Sequence, residues 1–231
     1  MCGRYSLIAD KDSLKKRFNV DFPVDLQPRY NAAPTQLLPI IATDSPSEAI
    51  YCKWGLVPHW SINAASGSNL INIRSENILS KNTFKLMAQS QRCIIPVDGF
   101  YEWKKELKMR IPFRFTLSDN HPFSLAGIWD EWQNPNGEKL RTFGIITTDA
   151  EGELKDIHDR MPIILSPEAE KIWLHLNLPE SDMKHIFQSE AYKNLTLYKT
   201  HRTVNSALID APECIQPAPK LYPGESYSLF D

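Results

Sequence analysis

The sequence lacks several features that define particular classes of protein. Its four cysteines, Cys2, Cys52, Cys93 and Cys214, form no C-x-x-C pair and have no histidine at zinc-ligand spacing. The sequence therefore predicts no metal site and, in a reducing compartment, free thiols. The longest apolar runs, such as Cys93–Val97, are far shorter than the roughly 20 residues that span a bilayer.

An excess of positive charge is also missing. Lys and Arg number 26 against 28 for Asp and Glu, a net charge of −2, so no bulk positive field indicates nucleic-acid binding. Any such binding must depend on a local patch. The first residues, Met1–Ser6, contain no apolar core of signal-peptide length. We therefore expect a cytoplasmic protein that needs no membrane, metal or cofactor.

The 231 residues contain no repeat, low-complexity segment or linker-like change of composition, which favours one domain. Short strand patterns, rich in β-branched and aromatic residues, are predicted at Leu37–Ala42, Ala49–Val57, Cys93–Val97, Phe100–Lys105, Pro112–Leu117, Phe123–Ile128, Thr142–Thr147, Met161–Leu165 and Leu195–Lys199. Helices are predicted at Lys11–Phe18 with Asp10 as cap, Lys81–Ser90, from Ser166-Pro167 to Leu176, and Pro179–Ser189. Ordered loops are predicted at Gln27–Gln36 and Ile62–Leu70.

These patterns predict an α+β fold, in which a mainly antiparallel, barrel-like β-sheet carries peripheral helices. The domain is expected to cover residues 1–209. Four prolines follow Asp210 within the last 22 residues, so residues 210–231 are predicted to be a Pro-rich tail without regular structure.

Cys2 differs from the other cysteines because removal of Met1 would expose its amine and its thiol on one residue. The two groups titrate near ~8 and ~8.5, so a useful fraction of each is nucleophilic at neutral pH. Such an aminothiol can condense with an aldehyde to an imine and then close through sulfur to a thiazolidine, a ring closure favoured by its intramolecular geometry. A cysteine at position 2 can equally be incidental.

Three segments keep polar side chains where a core would take apolar ones. Alternation over Leu70–Ser75 puts Asn72 and Arg74 on one strand face, which could also be an ordinary solvated face. Glu102 lies among aromatic residues, where lost hydration would raise its pKa and suit it to acid–base chemistry. A surface pair with Lys104 or Arg110 is the alternative.

His158 lies between acidic and basic neighbours at the start of a strand. Histidine is the side chain whose pKa is most easily shifted across neutral pH, although a lone histidine is often structural.

Aromatic and basic residues alternate elsewhere and could form a groove for stacked bases and phosphates; they include Arg4, Arg29, Trp54, Trp60, Trp103 and Arg160. Six tryptophans in one domain could instead build a rigid core.

Taken together and in order, these blocks resemble the SRAP family, the SOS-response-associated peptidase-like proteins that process abasic sites. The resemblance extends from Cys2 to about Asn205 and rests on Met1–Tyr5, Arg29–Pro34, Trp54–Trp60, Ile71–Glu76, Gly99–Trp103 and Ile157–Pro162. Six ordered blocks are far more specific than any single pattern. Ile73 and Asn77 depart from the usual family residues, Ala and Thr, at positions that concern packing.

The resemblance implies capture of abasic sites in single-stranded DNA, without a cofactor, through a thiazolidine on Cys2. It implies that Asn72 orients the amine and the sugar, that Glu102 shuttles protons, and that His158 assists at the sugar oxygen. Phosphate contacts are expected from Arg4, Arg74 and Arg160, and a pocket and wedge around the lesion from Asn31, Pro34, Trp60 and Thr147. We expect a monomer that is nucleoid-associated when bound to DNA.

Two alternatives remain open. The N-terminal cysteine could serve a hydrolase or peptidase, including one that acts only on its own Met1, with the terminal amine or His158 as base. The chain could also be a non-covalent module that binds single-stranded nucleic acid while Cys2 is idle. A covalent adduct with an abasic oligonucleotide separates both alternatives from the family chemistry.

Overall fold

The computed structural model describes residues 2–64, 70–107, 109–188 and 190–219. Their strands are β1 Tyr5–Leu7, β2 Arg29–Ala32, β3 Leu37–Ala42, β4 Ser45–Trp54, β5 Asn72–Arg74, β6 Arg92–Val97, β7 Gly99–Glu106, β8 Met109–Leu117, β9 Phe123–Gln133, β10 Lys139–Asp149, β11 Arg160–Pro162, β12 Ile164–Leu165 and β13 Leu195–Lys199. The α-helices are α1 Lys11–Phe18, α2 Ser75–Ser80, α3 Asn82–Ser90, α4 Pro167–Leu174 and α5 Glu180–Phe187.

The strands form two sheets. In the five-stranded sheet, ordered β13-β8-β7-β1-β2, every pair is antiparallel. In the eight-stranded sheet, β10 runs parallel to β4 and β5 and antiparallel to β9 and β11. The predicted α+β class, with a mainly antiparallel barrel-like sheet and peripheral helices, is confirmed.

One core joins the two sheets. Tyr5 from β1 packs with its ring 5.2 Å from that of Trp54 on β4, which in turn stacks at 6.2 Å on Phe143 of β10. Five of the six tryptophans are buried or half-buried, and Trp60 is the exposed one. The rigid-core interpretation therefore holds for most of them, because burying large aromatic surface stabilises the fold.

The helix ends follow their local chemistry. Asp10 accepts a hydrogen bond from the Ser13 amide at 2.9 Å and begins α1. Ser166 accepts from the Ala169 amide at 3.2 Å, and Pro167 occupies the first turn of α4. Both predicted caps are confirmed, since each satisfies an amide that the helix itself leaves unpaired.

Several predicted boundaries are wrong. The predicted loop Gln27–Gln36 contains strand β2, which pairs with β1 despite its flanking prolines. Strand β4 stops at Trp54, because Gly55 takes φ +121°, a conformation that favours glycine. Helix α4 ends at Leu174, before the predicted Leu176. Residues 65–69 of the second predicted loop, and Ser189, lie outside the described residues.

The segment after β13 crosses the edge of the five-stranded sheet. It contains short 3₁₀ helices at Arg202–Asn205 and Pro212–Ile215, the latter inside the region predicted to lack regular structure. The Asp210 carboxylate accepts hydrogen bonds from the Tyr30 and Asn31 amides, at 2.6 and 2.9 Å. This segment therefore occupies the outer edge of β2. Within the described part of the chain, no helix is long and apolar enough to cross a membrane.

Candidate active site

The N-terminal segment is held on both sides. Strand β1 lies between β2 and β7 through the pairs Tyr5–Ala32 and Tyr5–Phe100, and the Arg4 carbonyl accepts from the Tyr101 amide at 3.0 Å. Cys2 is fully buried just before this strand. Because the backbone is fixed so close to the terminus, the position of Cys2 is set by the sheet.

Asn72 connects β5 to the N-terminus. Its Nδ2 donates a hydrogen bond to the Cys2 carbonyl at 2.9 Å. Its Oδ1 is buried and has no hydrogen-bond partner among the described residues. Ile73 is buried while Arg74 is exposed, so the predicted alternation is confirmed. An unsatisfied buried acceptor is costly, which marks Oδ1 as a group arranged to receive a donor.

Glu102 lies on β7 and is only 2% exposed. The surface pair with Lys104 or Arg110 is therefore wrong. Burial raises the pKa of Glu102 to about 7, because desolvation disfavours the carboxylate. Burial also raises the pKa of the Cys2 thiol, and the negative charge of Glu102 raises it further. The acid and the thiol therefore share one dehydrated environment.

His158 follows the 3₁₀ helix Gly152–Asp156 and precedes β11. Its Nδ1 lies 2.7 Å from Asp159 Oδ1 and 3.0 Å from the amide nitrogen of Arg160. Partial burial lowers the pKa of His158, which favours the neutral imidazole. The charge of Asp159 also contributes to the raised pKa of Glu102. Asp159 therefore contacts His158 and also influences Glu102.

Arg4 and Asn31 form a structural pair. Arg4 Nη1 donates to Asn31 Oδ1 at 2.8 Å and to the Val204 carbonyl at 2.9 Å. Asn31 Nδ2 donates to the carbonyls of Ser206 and Ile209, at 2.9 and 2.7 Å. Asn31 is fully buried, and its predicted contact with DNA stays a prediction. Its hydrogen bonds hold the C-terminal segment and fix Arg4.

Arg160 is held by protein partners in this structure, and its role as a phosphate contact stays a prediction. It is 6% exposed, and its guanidinium donates to Glu76 Oε1 at 2.7 Å, to Asp149 Oδ1 at 2.5 Å and to the Thr147 carbonyl at 2.7 Å. These partners neutralise its charge. Arg160, on β11, therefore links this strand to α2 and β10 through its hydrogen bonds.

Thr147 is fully buried on β10, opposite Arg74 of β5. Its Oγ1 has no hydrogen-bond partner within the described ranges. The register of β5 and β10 places Asn72 and Thr147 on one face of the sheet, so a ligand on that face would meet two oxygens without a partner among the described residues, Thr147 Oγ1 and Asn72 Oδ1. Polar atoms of this kind are expected to be satisfied when the site is occupied.

The remaining predicted contacts are accessible. Arg74 is exposed beside this pair of oxygens, Trp60 is 49% exposed, and Pro34 is half-buried just after β2. Exposed guanidinium and indole groups are the kind of surface that binds phosphates and stacks bases. The structure thus separates accessible candidates from the buried Asn31 and Arg160.

Several residues of this region were not indicated by any local pattern. Asp130, which supports the segment carrying Trp60, is 2% exposed and pairs with His59, a histidine to which the sequence assigned no role. Asp210 pairs with Arg29 at 3.0 Å. Each of these contacts joins residues at least 71 positions apart, so only the fold brings them together.

No group of three or more His, Cys, Asp or Glu side chains that could hold a metal ion occurs where the structure describes the chain. Cys52, Cys93 and Cys214 are buried free thiols. The residues of this region to which the resemblance assigns chemistry are Cys2, Asn72, Glu102 and His158.

The fold and this N-terminal cysteine site define a known class, since the family model described as SOS response associated peptidase (SRAP) matches residues 1–207. The chain belongs to the SRAP family. It is 38% identical over 222 residues to the abasic site processing protein YoqW of Bacillus subtilis, covering 94% of this chain and 99% of that protein.

A second relative, the abasic site processing protein YoaM of Bacillus subtilis, is 38% identical over 226 residues, with 91% of this chain and 98% of that protein covered. Among solved structures, a crystal structure of a protein from Bacteroides thetaiotaomicron superimposes with a TM-score of 0.85 at 28% identity, covering 94% of this chain and all of the other. These matches agree with the fold across nearly the whole chain.

Proposed function

We propose that this protein processes abasic sites in single-stranded DNA and forms a thiazolidine between the mature N-terminal Cys2 and the opened deoxyribose. The names of its relatives support abasic-site processing. The chemistry follows from the residue itself, because an abasic sugar in its open form is an aldehyde and Cys2 without Met1 is an aminothiol. Removal of Met1, by the protein itself or by another enzyme, is the step that makes the amine available.

The proposed reaction balances without an oxidant or a cofactor. The Cys2 amine adds to the C1 aldehyde of the sugar, and the carbinolamine loses water to give an imine. Cys2 Sγ then adds to the imine carbon, the thiol proton passes to the nitrogen, and a five-membered ring forms. Ring closure removes the imine, which would otherwise promote β-elimination and strand breakage. The adduct thereby shields the strand, while reaction of the imine before closure accounts for lyase activity.

The buried polar groups have distinct roles in this scheme. Glu102 accepts the proton of the thiol and returns it to nitrogen, for which a pKa near the working pH is favourable. Asn72 holds the Cys2 backbone with Nδ2 and keeps Oδ1 for the amine or a sugar hydroxyl. His158, kept neutral by partial burial, assists proton transfer at the sugar oxygen. Thr147 Oγ1 receives a sugar hydroxyl.

DNA binding is proposed for the accessible residues. Arg74 and Arg4 contact phosphates, and Trp60 and Pro34 pack against the bases that flank the lesion. A few cationic contacts in a narrow groove suit single strands at a net charge of −2, whereas a broad duplex-binding face would need more basic surface. We expect the protein to act as a monomer in the cytoplasm.

The single observation that carries the proposal is the environment of Cys2. The residue is fully buried, its carbonyl accepts a hydrogen bond from Asn72, and the negative charge of Glu102 helps to raise the pKa of its thiol. A cysteine that were only a core residue would not need two polar side chains beside it, one of which, Asn72, has an oxygen without a partner among the described residues.

The test is incubation of the purified protein with an abasic single-stranded oligonucleotide, followed by denaturing electrophoresis and mass spectrometry of the N-terminus. The native terminus is expected to give a denaturation-resistant adduct, and Cys2→Ala none. The buried Cys93→Ala is the matched cysteine control and should retain the adduct. A mobility shift without covalent product would favour a binding module, and cleavage of peptide or ester substrates would favour a hydrolase.

A further inference from the structure

The segment that follows β4 is anchored to the eight-stranded sheet at alternate residues. The Val57 amide donates to Thr142 Oγ1 at 2.8 Å, the His59 amide to Asp130 Oδ2 at 2.8 Å, and Trp132 Nε1 to the Ser61 carbonyl at 2.8 Å. Trp60 projects between two of these anchors and is the exposed indole of the site. A surface segment fixed in this way is pre-ordered, which lowers the entropy cost of binding.

Asp130 is the centre of this arrangement. It is 2% exposed, and its Oδ2 accepts from both the His59 amide and the His59 ring nitrogen Nδ1, at 2.8 and 2.9 Å. Its Oδ1 accepts from Gln91 Nε2 at 2.6 Å and from the Glu131 amide at 2.8 Å. Four donors on one buried carboxylate leave it little freedom, so Asp130 is a rigid support.

His59, which Asp130 holds in place, packs against the ring of Trp60. The two rings meet edge to face, with centroids 4.7 Å apart and an interplanar angle of 86°. Edge-to-face contact is a favoured geometry for aromatic rings. With Nδ1 fixed by Asp130, the imidazole covers one side of the indole and leaves about half of Trp60 open.

We propose that His59 and Asp130 are positioning residues for DNA binding, which hold the Trp60 indole in the orientation that stacks on a base beside the lesion. The inference rests on the proposed function, because it assigns Trp60 to the DNA interface. Neither residue contacts the reacting atoms. Their contribution is to order the indole before DNA arrives, so that loss of His59 weakens binding only through Trp60.

The experiment measures the dissociation constant for single-stranded DNA that carries a tetrahydrofuran abasic analogue, which has no aldehyde and cannot form the adduct. Trp60→Ala is expected to raise the dissociation constant roughly tenfold, the loss of one stacked base. His59→Ala is expected to raise it about three- to fivefold. The double variant should have the same dissociation constant as Trp60→Ala, because His59 acts only by positioning an indole that this variant lacks.

Three comparisons separate positioning from other roles. His59→Asn, which can still donate to Asp130, should recover part of the affinity, and His59→Ala should leave the salt dependence unchanged because no phosphate contact is lost. His121, an exposed histidine 3.4 Å from Asp119, is the matched control, and His121→Ala should bind normally. Additive losses in the double variant, or normal binding by His59→Ala, overturn the inference.

The outcomes also distinguish this inference from the proposed function. If Trp60→Ala binds DNA normally, the indole is not in the interface and the proposed positioning role of His59 is wrong. Adduct formation on abasic DNA would still support the proposed function. If no variant of the chain, wild type included, forms an adduct with an authentic abasic site, the proposed function itself fails. Asp130→Asn serves as a further variant if it folds, and it should reproduce the weaker binding of His59→Ala.

Discussion

Glu102 occupies a position on β7 that alternation alone assigns to the core. Its neighbour on the same face, Phe100, stacks on Phe115 at 5.0 Å, while Tyr101 and Trp103 turn to a second small cluster with Val204 and Cys214. A carboxyl in such surroundings loses hydration, and the pKa of Glu102 rises to about 7. It can therefore exist in both protonation states at neutral pH, as a proton shuttle requires.

Replacement of Glu102 by glutamine should slow adduct formation by about a hundredfold to ten-thousandfold, because an amide cannot exchange the proton. The wild-type rate should also change near pH 7, and this inflection should be absent from the variant. Quenched-flow or gel kinetics with an abasic oligonucleotide would measure both effects. Glu106→Gln, at the exposed end of the same strand, is the control; a Glu102→Gln rate within twofold of wild type would contradict the assignment.

The same burial has a consequence for stability. The pKa of Glu102 is about 7 in the folded protein against 4.5 for the unperturbed group, so the folded state binds more protons between these values. The free energy of unfolding contributed by Glu102 is therefore highest below pH 4.5 and falls as the pH rises to about 7.

At pH 8, Glu102→Gln should be more stable than wild type, by an amount on the order of 3 kcal/mol. At pH 4.5 the two proteins should differ little, since Glu102 is then protonated in the folded state. Urea unfolding at both pH values measures the difference. If Glu102→Gln is less stable than wild type at pH 8, this prediction is wrong, because the fold would then stabilise the ionised carboxylate of Glu102.

At the scale of elements, β5 and β11 both pair with β10, and each carries an arginine, one exposed to solvent and the other buried. Arg74, on β5, is exposed, whereas Arg160, on β11, is buried among Glu76, Asp149 and the Thr147 carbonyl. Removing Arg160 would therefore disturb the packing of these strands. Removing Arg74 would alter only the surface charge beside the site.

Arg74→Ala should weaken binding to single-stranded DNA and reduce the slope of log affinity against log salt by about 0.7, the value for one phosphate contact on a single strand. Titrations at several salt concentrations measure the slope. Lys16→Ala, which removes an exposed cation on α1, is the charge-matched control and should leave the slope unchanged. An unaltered slope in Arg74→Ala would mean that this arginine does not contact a phosphate.

Across the whole molecule, the N-terminal strands and the C-terminal segment depend on each other. Arg4 donates to the carbonyl of Val204, 200 residues away, and the Asp210 carboxylate binds the Tyr30 and Asn31 amides as well as Arg29. The proposed boundary at residue 209 therefore passes through a network of contacts, and residues 210–219 are in part a component of the fold.

Asp210→Ala should lower the free energy of unfolding by about 1–3 kcal/mol, because it leaves two backbone amides of β2 without an acceptor. It should also slow adduct formation, since β2 supports the strand that carries Cys2. Thermal or denaturant unfolding, together with the crosslinking rate, measures the effect. Glu213→Ala, an exposed carboxylate in the same segment, is the matched control; equal behaviour of the two variants would contradict this dependence.

The sequence predicted what local chemistry decides. Periodicity located most strands, Asp10 and Ser166 marked helix starts, and the aromatic surroundings of Glu102 indicated a raised pKa. It did not predict strand β2, because the flanking prolines Pro28 and Pro34 indicated a loop and the partner strand β1 lies more than 20 residues earlier in the chain. It also could not separate Arg74 from Arg160, because the partners of Arg160 lie on α2 and β10.

The contact between Arg4 and Val204 has a consequence for the newly made polypeptide. The ribosome synthesises the N-terminal segment first, and the Val204 carbonyl that holds Arg4 follows 200 residues later. The N-terminal segment therefore exists before the strands that supply Asn72 and Glu102, and before the Val204 carbonyl that Arg4 binds. The surroundings of Cys2 are therefore complete only when Val204 has been synthesised and Arg4 can donate to its carbonyl.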